Sequence, residues 1–201
     1  MPSTSTHHPI THLLYLHGFR SSPQSVKART MGAYMAQHHP EVYWWCPQLP
    51  PSPRQAMQQI MQGIANWPRE SMAVVGSSLG GFYASWVAAH TGCRAVLLNP
   101  AVNPARDLAK YIGEQSSWHD PQERFFFQTG FVQELRDLTL TDLTQPERCL
   151  AVIAKGDEVL DWREMQARYQ GAQLRLIEGS DHAISDFDAH LAAVLAFLGL
   201  L

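Results

Sequence analysis

A serine bracketed by glycines stands at the end of an apolar run near the middle of the chain. A Met-Ala-Val-Val run, typical of a buried strand, precedes Gly-Ser-Ser-Leu-Gly at residues 76–80, and a pattern of helical spacing follows. In a turn this tight, a serine at positive φ lifts its hydroxyl above the sheet edge, and the residues two positions either side must be tiny. Gly76 and Gly80 meet that requirement around Ser78 and not around Ser77, so Ser78 is the candidate nucleophile. The alternative is a glycine-rich turn that only joins a strand to a helix.

A serine nucleophile needs a base to take its proton and a third group to hold that base. His182 lies in a Gly-Ser-Asp-His-Ala segment between the last apolar run and the last helical pattern, where its imidazole can reach Ser78. Asp157 follows another apolar run, and a carboxylate on the loop after a parallel strand points to the same edge of the sheet. We therefore predict that Asp157 orients His182. The neighbouring Glu158 and Asp161 are the alternatives, their other roles being solvated loop charges or a helix cap.

Two backbone N–H groups are the candidate donors to the oxyanion that attack by the serine would create. The N–H of Leu79 is at the amino end of the following helix, where the helix dipole also favours negative charge. The second donor is expected from His17-Gly18-Phe19 after the first strand, because Gly18 allows close backbone approach. We assign it to Phe19 and interpret His17 as a structural brace rather than a catalytic base.

Four side chains near these segments are candidates for substrate contact: Arg20, Trp118, Phe126 and Phe131. Arg20, together with Lys27 and Arg29, follows the oxyanion segment and offers cations to an acidic group on a substrate. The alternative is that these three cations are the solvated start of a helix.

The elements that must position these residues alternate regularly. Apolar runs, separated by helical patterns or loops, begin near six positions: Leu13, Val42, Met72, Ala95, Leu150 and Leu174. Continuous apolar runs favour strands buried on both faces. The alternation predicts an α/β fold whose mostly parallel sheet of about six strands has helices on both faces. The fourth run extends to Pro100, and the last helix is predicted from about Ile184.

The length of 201 residues fits one domain. Residues 1–10 are polar, and we expect them to form a flexible tail. Residues 101–147 are long for a simple crossover and carry aromatic residues among polar ones, so we expect a small cap insertion over the catalytic edge. The alternative is that these aromatic residues form the core of an extra helical pair.

Composition excludes several classes of partner. The net charge of −3 and the absence of long Lys/Arg runs argue against nucleic acid or an anionic membrane as the main partner. The spacing of His7, His8 and His12 matches no standard metal-ligand set, so no metal is expected. No apolar stretch approaches the ~18 residues that span a bilayer, and the first ten residues do not resemble a signal peptide. We therefore expect a cytoplasmic protein without a membrane span.

Cysteine usage indicates no disulfide framework. The three cysteines are widely spaced and odd in number: Cys46, Cys93 and Cys149. Each lies beside an apolar segment, so we expect buried free thiols.

Four segments together match a known family: Leu-His-Gly-Phe at 16–19, Gly-Ser-Ser-Leu-Gly-Gly at 76–81, Gly-Asp-Glu-Val-Leu-Asp at 156–161, and the loop around His182. Through them the chain resembles, over nearly its whole length, the small bacterial α/β-hydrolases called YqiA-like esterases. The serine motif and the His-Gly pair are general to the α/β-hydrolase superfamily. The run at 156–161 and the short chain narrow the resemblance to the smaller family.

The resemblance implies an α/β-hydrolase fold and a serine esterase of the carboxylesterase or thioesterase type. Such an enzyme hydrolyses a small-molecule acyl ester or thioester through a Ser-His-Asp triad and an acyl-enzyme intermediate, with no cofactor. The alternative function is a catalytically inactive α/β-hydrolase scaffold that binds a small ligand or a protein. The presence of all the triad and oxyanion residues argues against that alternative, because a binding module needs none of them.

Overall fold

The computed structural model describes residues 8–201, and within them the chain forms eight strands: β1 (His12–Leu16), β2 (Tyr43–Trp45), β3 (Met72–Ser77), β4 (Arg94–Leu98), β5 (Gly113–Ser116), β6 (Arg124–Phe127), β7 (Cys149–Ala154) and β8 (Gln173–Ile177). Six of them form one sheet in the order β2-β1-β3-β4-β7-β8, and every neighbouring pair is parallel. The remaining two, β5 and β6, pair with each other as an antiparallel hairpin.

Helices cover both faces of the parallel sheet. The described residues contain seven α-helices: α1 (Val26–His38), α2 (Pro53–Gly63), α3 (Leu79–Thr91), α4 (Pro104–Leu108), α5 (Thr129–Asp137), α6 (Trp162–Arg168) and α7 (Asp188–Leu198). Buried residues of α1 and α7 join one apolar cluster, and those of α2, α3, α5 and α6 join a second cluster on the opposite face. The predicted α/β fold with about six mostly parallel strands is confirmed. Between residues 8 and 201 no helix has both the length and the apolar character to cross a membrane.

Strand β1 illustrates why the sheet is parallel and central. Leu14 and Leu16 pack into one apolar cluster, Leu13 and Tyr15 into the other, and all four are 0% exposed. A strand buried on both faces needs helices on each side, which parallel crossovers supply. All the strands then end at one edge, so the loops after β1, β3, β4, β7 and β8 meet there. We refer to it as the carboxyl edge of the sheet.

Two predicted boundaries differ from the structure. Strand β4 ends at Leu98 rather than Pro100, because Asn99 turns the chain with a φ of 40°. The last helix begins at Asp188 rather than near Ile184, since Ile184 has a φ of 48° that no helix accommodates. The carboxylate of Asp181 accepts from the backbone N–H of Ser185 at 2.9 Å and closes a turn ahead of the helix.

The insertion, residues 101–147, contains the β5–β6 hairpin between two helices rather than a helical pair. Phe127 (1% exposed) and Leu135 (0%) belong to the buried cluster beneath it. The loop between its strands reaches the carboxyl edge, where the N–H of Trp118 donates to the carbonyl of Arg20 at 2.8 Å. The insertion is therefore anchored in the core at one end and lies against the loop after β1 at the other.

The amino-terminal prediction is corrected where the structure describes it. Of the expected tail at 1–10, residues 1–7, with His7, lie outside the described residues. Ile10 is only 4% exposed and packs with the cluster under α1, and the guanidinium of Arg94 donates to the carbonyl of His8 at 3.1 Å. The ordered core therefore begins before residue 11, because Ile10 supplies apolar area that this face of the sheet buries.

All three cysteines are free, and Cys93 and Cys149 are buried as expected, whereas Cys46 is only half-buried. Burial raises the pKa of Cys93 to about 11 and the pKa values of Cys46 and Cys149 to about 12. These thiols are therefore protonated at neutral pH and pack as small apolar groups.

Candidate active site

The turn between β3 and α3 holds Ser78 in a backbone conformation that few residues adopt. Its φ is 56° and its ψ is −119°, and its N–H donates to the carbonyl of Leu98 at 2.9 Å. A Cβ on Gly76 would lie 2.1 Å from the carbonyl oxygen of Gly80, and a Cβ on Gly80 would lie 2.0 Å from that of Leu16. Both glycines are therefore required by backbone contact, and the turn they permit projects Ser78 from the carboxyl edge.

Ser78, His182 and Asp157 lie in one hydrogen-bonded chain. His182 Nε2 is 3.0 Å from Ser78 Oγ, and His182 Nδ1 is 2.8 Å from Asp157 Oδ2. Since a carboxylate only accepts, Nδ1 carries the proton and donates to Asp157, which leaves Nε2 free to accept the hydroxyl proton of Ser78. The geometry allows a proton to pass from serine to imidazole while the carboxylate holds the ring.

The carboxylate of Asp157 is held by backbone N–H groups in addition to its contact with His182. Its Oδ1 accepts from the N–H groups of Val159 and Leu160, each at 2.8 Å, and its side chain is 0% exposed. Only Oδ2 remains for His182, so one orientation of the carboxylate satisfies all three donors. The loop that follows β7 thus presents a single oxygen to the imidazole.

The alternative acids have other partners. A carboxylate oxygen of Glu158 accepts the backbone N–H of His182 at 3.0 Å. Asp161 caps α6, where its side chain accepts from the N–H of Arg163 at 2.9 Å. Glu158 therefore holds the backbone of the histidine loop, while Asp161 is a helix cap.

Asn99, which the sequence did not single out, joins three loops beneath the site. It is 0% exposed, and its Nδ2 donates to the carbonyls of Asp181 and His182 at 3.0 and 3.1 Å. Its Oδ1 accepts the N–H of Ala154 at 2.8 Å. The amide therefore ties the end of β4 to the end of β7 and to the backbone that carries His182. Its sequence signal was an asparagine, a residue that tolerates positive φ, at the end of a strand beside the serine turn.

The two candidate oxyanion donors lie on either side of Ser78. Leu79 N–H is the first of α3, and Phe19 follows a glycine whose added Cβ would lie 3.2 Å from Ser78 Cβ. Among residues 8–201 neither N–H has a hydrogen-bond acceptor. Two open donors beside the hydroxyl of Ser78 would suit a tetrahedral oxyanion.

His17 holds the loop that carries Phe19. The backbone N–H of Leu49 donates to His17 Nε2 at 3.0 Å, so the ring proton is on Nδ1, which lies 3.0 Å from the carbonyl of Gly18. Burial lowers the pKa of His17 to about 4, and the ring is neutral at neutral pH. The imidazole thus acts as a neutral link between two loops.

Two cavities meet at Ser78. The larger, about 610 Å³, is bounded by the loop after β1, the start of α1 and the His182 loop. The smaller, about 160 Å³, lies beneath the insertion, and Arg20, Asp107 and Lys110 border it. Most of its lining is apolar or aromatic: Phe19, Leu79, Ala101, Pro104, Leu108, Tyr111, Trp118, Val159 and Leu160. A substrate carbonyl at Ser78 would therefore have one compartment on each side.

Two of the four predicted substrate contacts, Arg20 and Trp118, lie at these cavities. The other two, Phe126 and Phe131, line neither of them. Trp118 borders both cavities and Arg20 the smaller one. Phe126 is 60% exposed, and Phe131 packs edge-on against Phe127 at 5.5 Å. Because residues of a strand alternate between faces, the face of β6 that turns inward does not carry Phe126. Phe131 is held by the core of the insertion.

The side chain of Arg20 links the β5–β6 hairpin to the loop after β1 through hydrogen bonds. Its Nε donates to the carbonyl of Ser116 at 2.7 Å, and a terminal nitrogen donates to Ser116 Oγ at 3.2 Å. Its guanidinium carbon lies 4.1 Å from the centre of the Trp118 ring. The cation therefore already serves a structural contact between the insertion and the oxyanion loop.

Comparison with known proteins matches residues 12–199 to a family described as "Uncharacterised protein family (UPF0227)". A UPF0227 protein of Serratia proteamaculans is 24% identical over 191 residues, which cover 92% of this chain and 97% of that protein. A UPF0227 protein of Yersinia pseudotuberculosis is 25% identical over 190 residues, with the same shares covered.

Solved structures of low sequence identity share the fold. Est1E from Butyrivibrio proteoclasticus superposes with a TM-score of 0.70 at 17% identity, covering 98% of this chain and 90% of that one. The mouse alpha/beta hydrolase domain-containing protein 10 gives 0.69 at 13% identity, with 93% and 90% covered. The Pyrococcus furiosus esterase Pf2001 gives 0.62 at 16% identity, with 96% and 82% covered. The resemblance to the α/β-hydrolase fold is thereby confirmed.

Proposed function

The chain belongs to the UPF0227 family, and we propose that it is a serine esterase that hydrolyses carboxylic esters or thioesters through an acyl-enzyme intermediate. The observation that carries this proposal is the hydrogen-bonded chain from Ser78 Oγ through His182 to Asp157, at 3.0 and 2.8 Å. The α/β-hydrolase fold, which arranges such residues in the order serine, acid, histidine, supports it.

Acylation begins when His182 takes the proton of Ser78 as the serine oxygen attacks the substrate carbonyl. The N–H groups of Leu79 and Phe19 stabilise the resulting oxyanion, and each such donor contributes about 10²–10³ in rate. His182 then gives its proton to the departing alcohol or thiol. Asp157 keeps the imidazole in the tautomer that can accept at Nε2 and stabilises the imidazolium that forms.

Deacylation repeats these steps with water as the nucleophile. His182 takes a proton from water, which attacks the acyl-serine carbonyl, and Ser78 leaves with its proton restored. Both steps need a neutral imidazole at the start.

We propose further that the insertion, residues 101–147, is a small cap within a single α/β-hydrolase domain. The hydrogen bonds from the Arg20 guanidinium to Ser116 and from the Trp118 N–H to the carbonyl of Arg20 support this role. The smaller cavity beneath the insertion, with its mainly apolar lining, suits an acyl chain.

A fluorophosphonate probe tests the nucleophile directly, because it phosphonylates a serine only where a base and an oxyanion hole activate it. We expect one label per chain on Ser78, no label in Ser78→Ala, and full labelling in the matched control Ser77→Ala. An unlabelled wild-type protein would favour the non-catalytic binding scaffold instead, whereas a label that persists in Ser78→Ala would contradict the assignment of Ser78 as the nucleophile.

A further inference from the structure

The start of α1 faces the larger cavity with polar groups that the proposed mechanism does not use. Ser25, Val26 and Lys27 line that cavity together with Ser78 and His182. A substrate held at Ser78 therefore shares one compartment with the first turn of this helix.

Two hydroxyls on the same wall lack hydrogen-bond partners. Tyr15 is 0% exposed, and within residues 8–201 neither its hydroxyl nor the buried Oγ of Ser25 makes a hydrogen bond of good geometry, although the side chains of Ser25 and Ser77 lie beside the phenol. Both residues line the larger cavity. A buried hydroxyl without a partner is unfavourable, and a ligand oxygen that enters this cavity would relieve that cost.

The amino terminus of α1 is open as well. Ser25 is its N-cap, yet its side chain makes no capping bond, and the first turn has no acidic residue. The N–H groups of Val26 and Lys27 have no acceptor within the described part of the chain. This helix of 13 residues therefore directs the positive end of its dipole and free donors towards the cavity.

Lys27 adds a full positive charge that no carboxylate neutralises by contact. Its Nζ donates to the carbonyl of Ala183, and it forms no ion pair with any residue that the structure describes. Burial lowers the pKa of Lys27 to about 8, and the charges of Asp181 and Asp157 oppose that shift, so the ammonium is charged at neutral pH. Asp181 is itself bonded to Ser185.

We propose that Tyr15, Ser25, Lys27 and the start of α1 form a subsite for an oxyanion, a carboxylate or a phosphate, carried by the leaving group of the ester. This inference rests on the proposed esterase function. His182, which gives the leaving group its proton, borders both cavities, but the rest of its loop, residues 183–185, lines only the larger one, so we place the leaving group there. The acyl chain takes the smaller, mainly apolar cavity.

Matched thioesters test the subsite. We compare butyryl thioesters of mercaptopropionate, of mercaptoethyl phosphate and of the neutral mercaptopropionamide, following release of the thiol. A charge-assisted contact predicts that kcat/KM for at least one anionic thioester exceeds that for the amide by about 10- to 100-fold. Preference for the carboxylate, the phosphate or both supports the subsite and identifies the group. Equal values for all three overturn it.

The variant Lys27→Met removes the charge and keeps an unbranched side chain. Loss of the contact with Ala183 slows the anionic and neutral thioesters alike, so the ratio of their kcat/KM values is the measurement. We expect that ratio to fall to about one to three, whereas Arg29→Met, which removes an exposed cation of the same helix, preserves it. An unchanged ratio in Lys27→Met contradicts the proposal.

The variant Tyr15→Phe removes one unpartnered hydroxyl without changing the shape of the ring. We expect the ratio to fall several-fold with no loss of melting temperature, because the free protein loses no hydrogen bond. A ratio that does not move assigns the hydroxyl no part in the subsite and contradicts its inclusion.

Anion binding without turnover separates this inference from the proposed function. Inorganic phosphate should raise the melting temperature of the Ser78→Ala protein more than sodium chloride of equal ionic strength does. The additional rise should disappear when Lys27→Met is combined with Ser78→Ala. Equal shifts in the two proteins refute the subsite even if esters are hydrolysed. Absence of hydrolysis with the lysine-dependent shift intact refutes the esterase alone.

Discussion

The carboxyl edge of the sheet and the insertion at 101–147 face each other across the cleft, and they are built differently. At the edge, the side chains of Asp157 and Asn99 are 0% exposed and each makes three hydrogen bonds. On the insertion, Trp118 is 66% exposed and Phe126 60%. Buried, fully bonded groups fix the geometry of the proposed chemistry. Exposed side chains of the insertion can vary without disturbing that geometry, so we expect substitutions there to affect substrate choice.

The largest test of this contrast removes the charge of the buried acid. In Asp157→Asn the amide donates where the carboxylate accepted, so His182 adopts the tautomer that cannot take a proton from Ser78. We expect kcat to fall by about 10⁴-fold. The neighbouring Glu158→Gln keeps an acceptor for the N–H of His182 and should lose less than about tenfold. Equal losses in steady-state kinetics of the two variants would contradict the assignment of Asp157.

The next test removes the amide beneath the edge. Asn99→Ala leaves the N–H of Ala154 and two carbonyls without partners, and the His182 loop loses its anchor. We expect the free energy of unfolding to fall by about 2–4 kcal/mol and kcat to fall by about 10- to 100-fold. Urea denaturation and steady-state kinetics measure the two effects.

An asparagine on the insertion provides the control for that variant. Asn103 caps α4 through the N–H of Arg106. Asn103→Ala should lose about 1 kcal/mol of stability and keep its kcat. If Asn103→Ala lowers kcat as much as Asn99→Ala does, Asn99 has no specific role in positioning His182.

Because His17 at the carboxyl edge is buried and neutral, we expect the free energy of unfolding to depend on pH. The pKa of His17 is about 4 in the folded protein because of burial, against 6.5 for the free side chain. The unfolded chain therefore binds the proton first, and this contribution to stability is present above about pH 6.5 and is lost as the pH falls towards 4. The loss reaches at most about 3 kcal/mol.

Denaturation curves at a series of pH values measure that loss. His17→Gln should flatten the dependence, whereas His119→Gln, on the insertion, should largely preserve it, because burial rather than the neighbouring His119 is the main cause that lowers the pKa of His17. A wild-type stability that stays constant down to pH 4 would exclude a neutral buried His17.

The smallest effect is expected on the insertion itself. Trp118 borders both cavities and stacks on Arg20, so Trp118→Ala should raise KM by about two- to fivefold with kcat little changed. Phe126→Ala, on the same hairpin, should alter neither constant. A fall in kcat of Trp118→Ala as large as that in Asn99→Ala would show that the insertion contributes to the chemistry.

Local sequence was most informative where the backbone is most constrained. A Cβ at residue 76 or 80 would lie 2.1 or 2.0 Å from a backbone carbonyl oxygen, so only glycine fits at either position. The spacing of these two glycines alone therefore predicts the position of Ser78. The apolar runs predict the strands because each strand is buried on both faces. The loops after those strands then follow from the parallel order.

Long-range contacts were not visible in the sequence. Asn99 bonds to residues 55, 82 and 83 positions away, and a single asparagine after a strand does not indicate partners at that separation. The three consecutive aromatic residues at 125–127 carry no alternation of apolar and polar residues, so the sequence does not predict the strand that turns Phe126 outward. The turn that delays α7 depends on Asp181 and Ser185, whose pairing no helical pattern reveals.

The central claim is that the hydroxyl of Ser78 forms the acyl-enzyme, and a pair of adjacent serines tests it most directly. We measure kcat/KM on a p-nitrophenyl ester for the wild-type protein, Ser78→Ala and Ser77→Ala, with melting temperatures to verify folding. The account predicts a loss of about 10⁴-fold or more in Ser78→Ala and retained activity in Ser77→Ala. Folded Ser78→Ala protein that hydrolyses the ester at a rate near that of the wild type would contradict it.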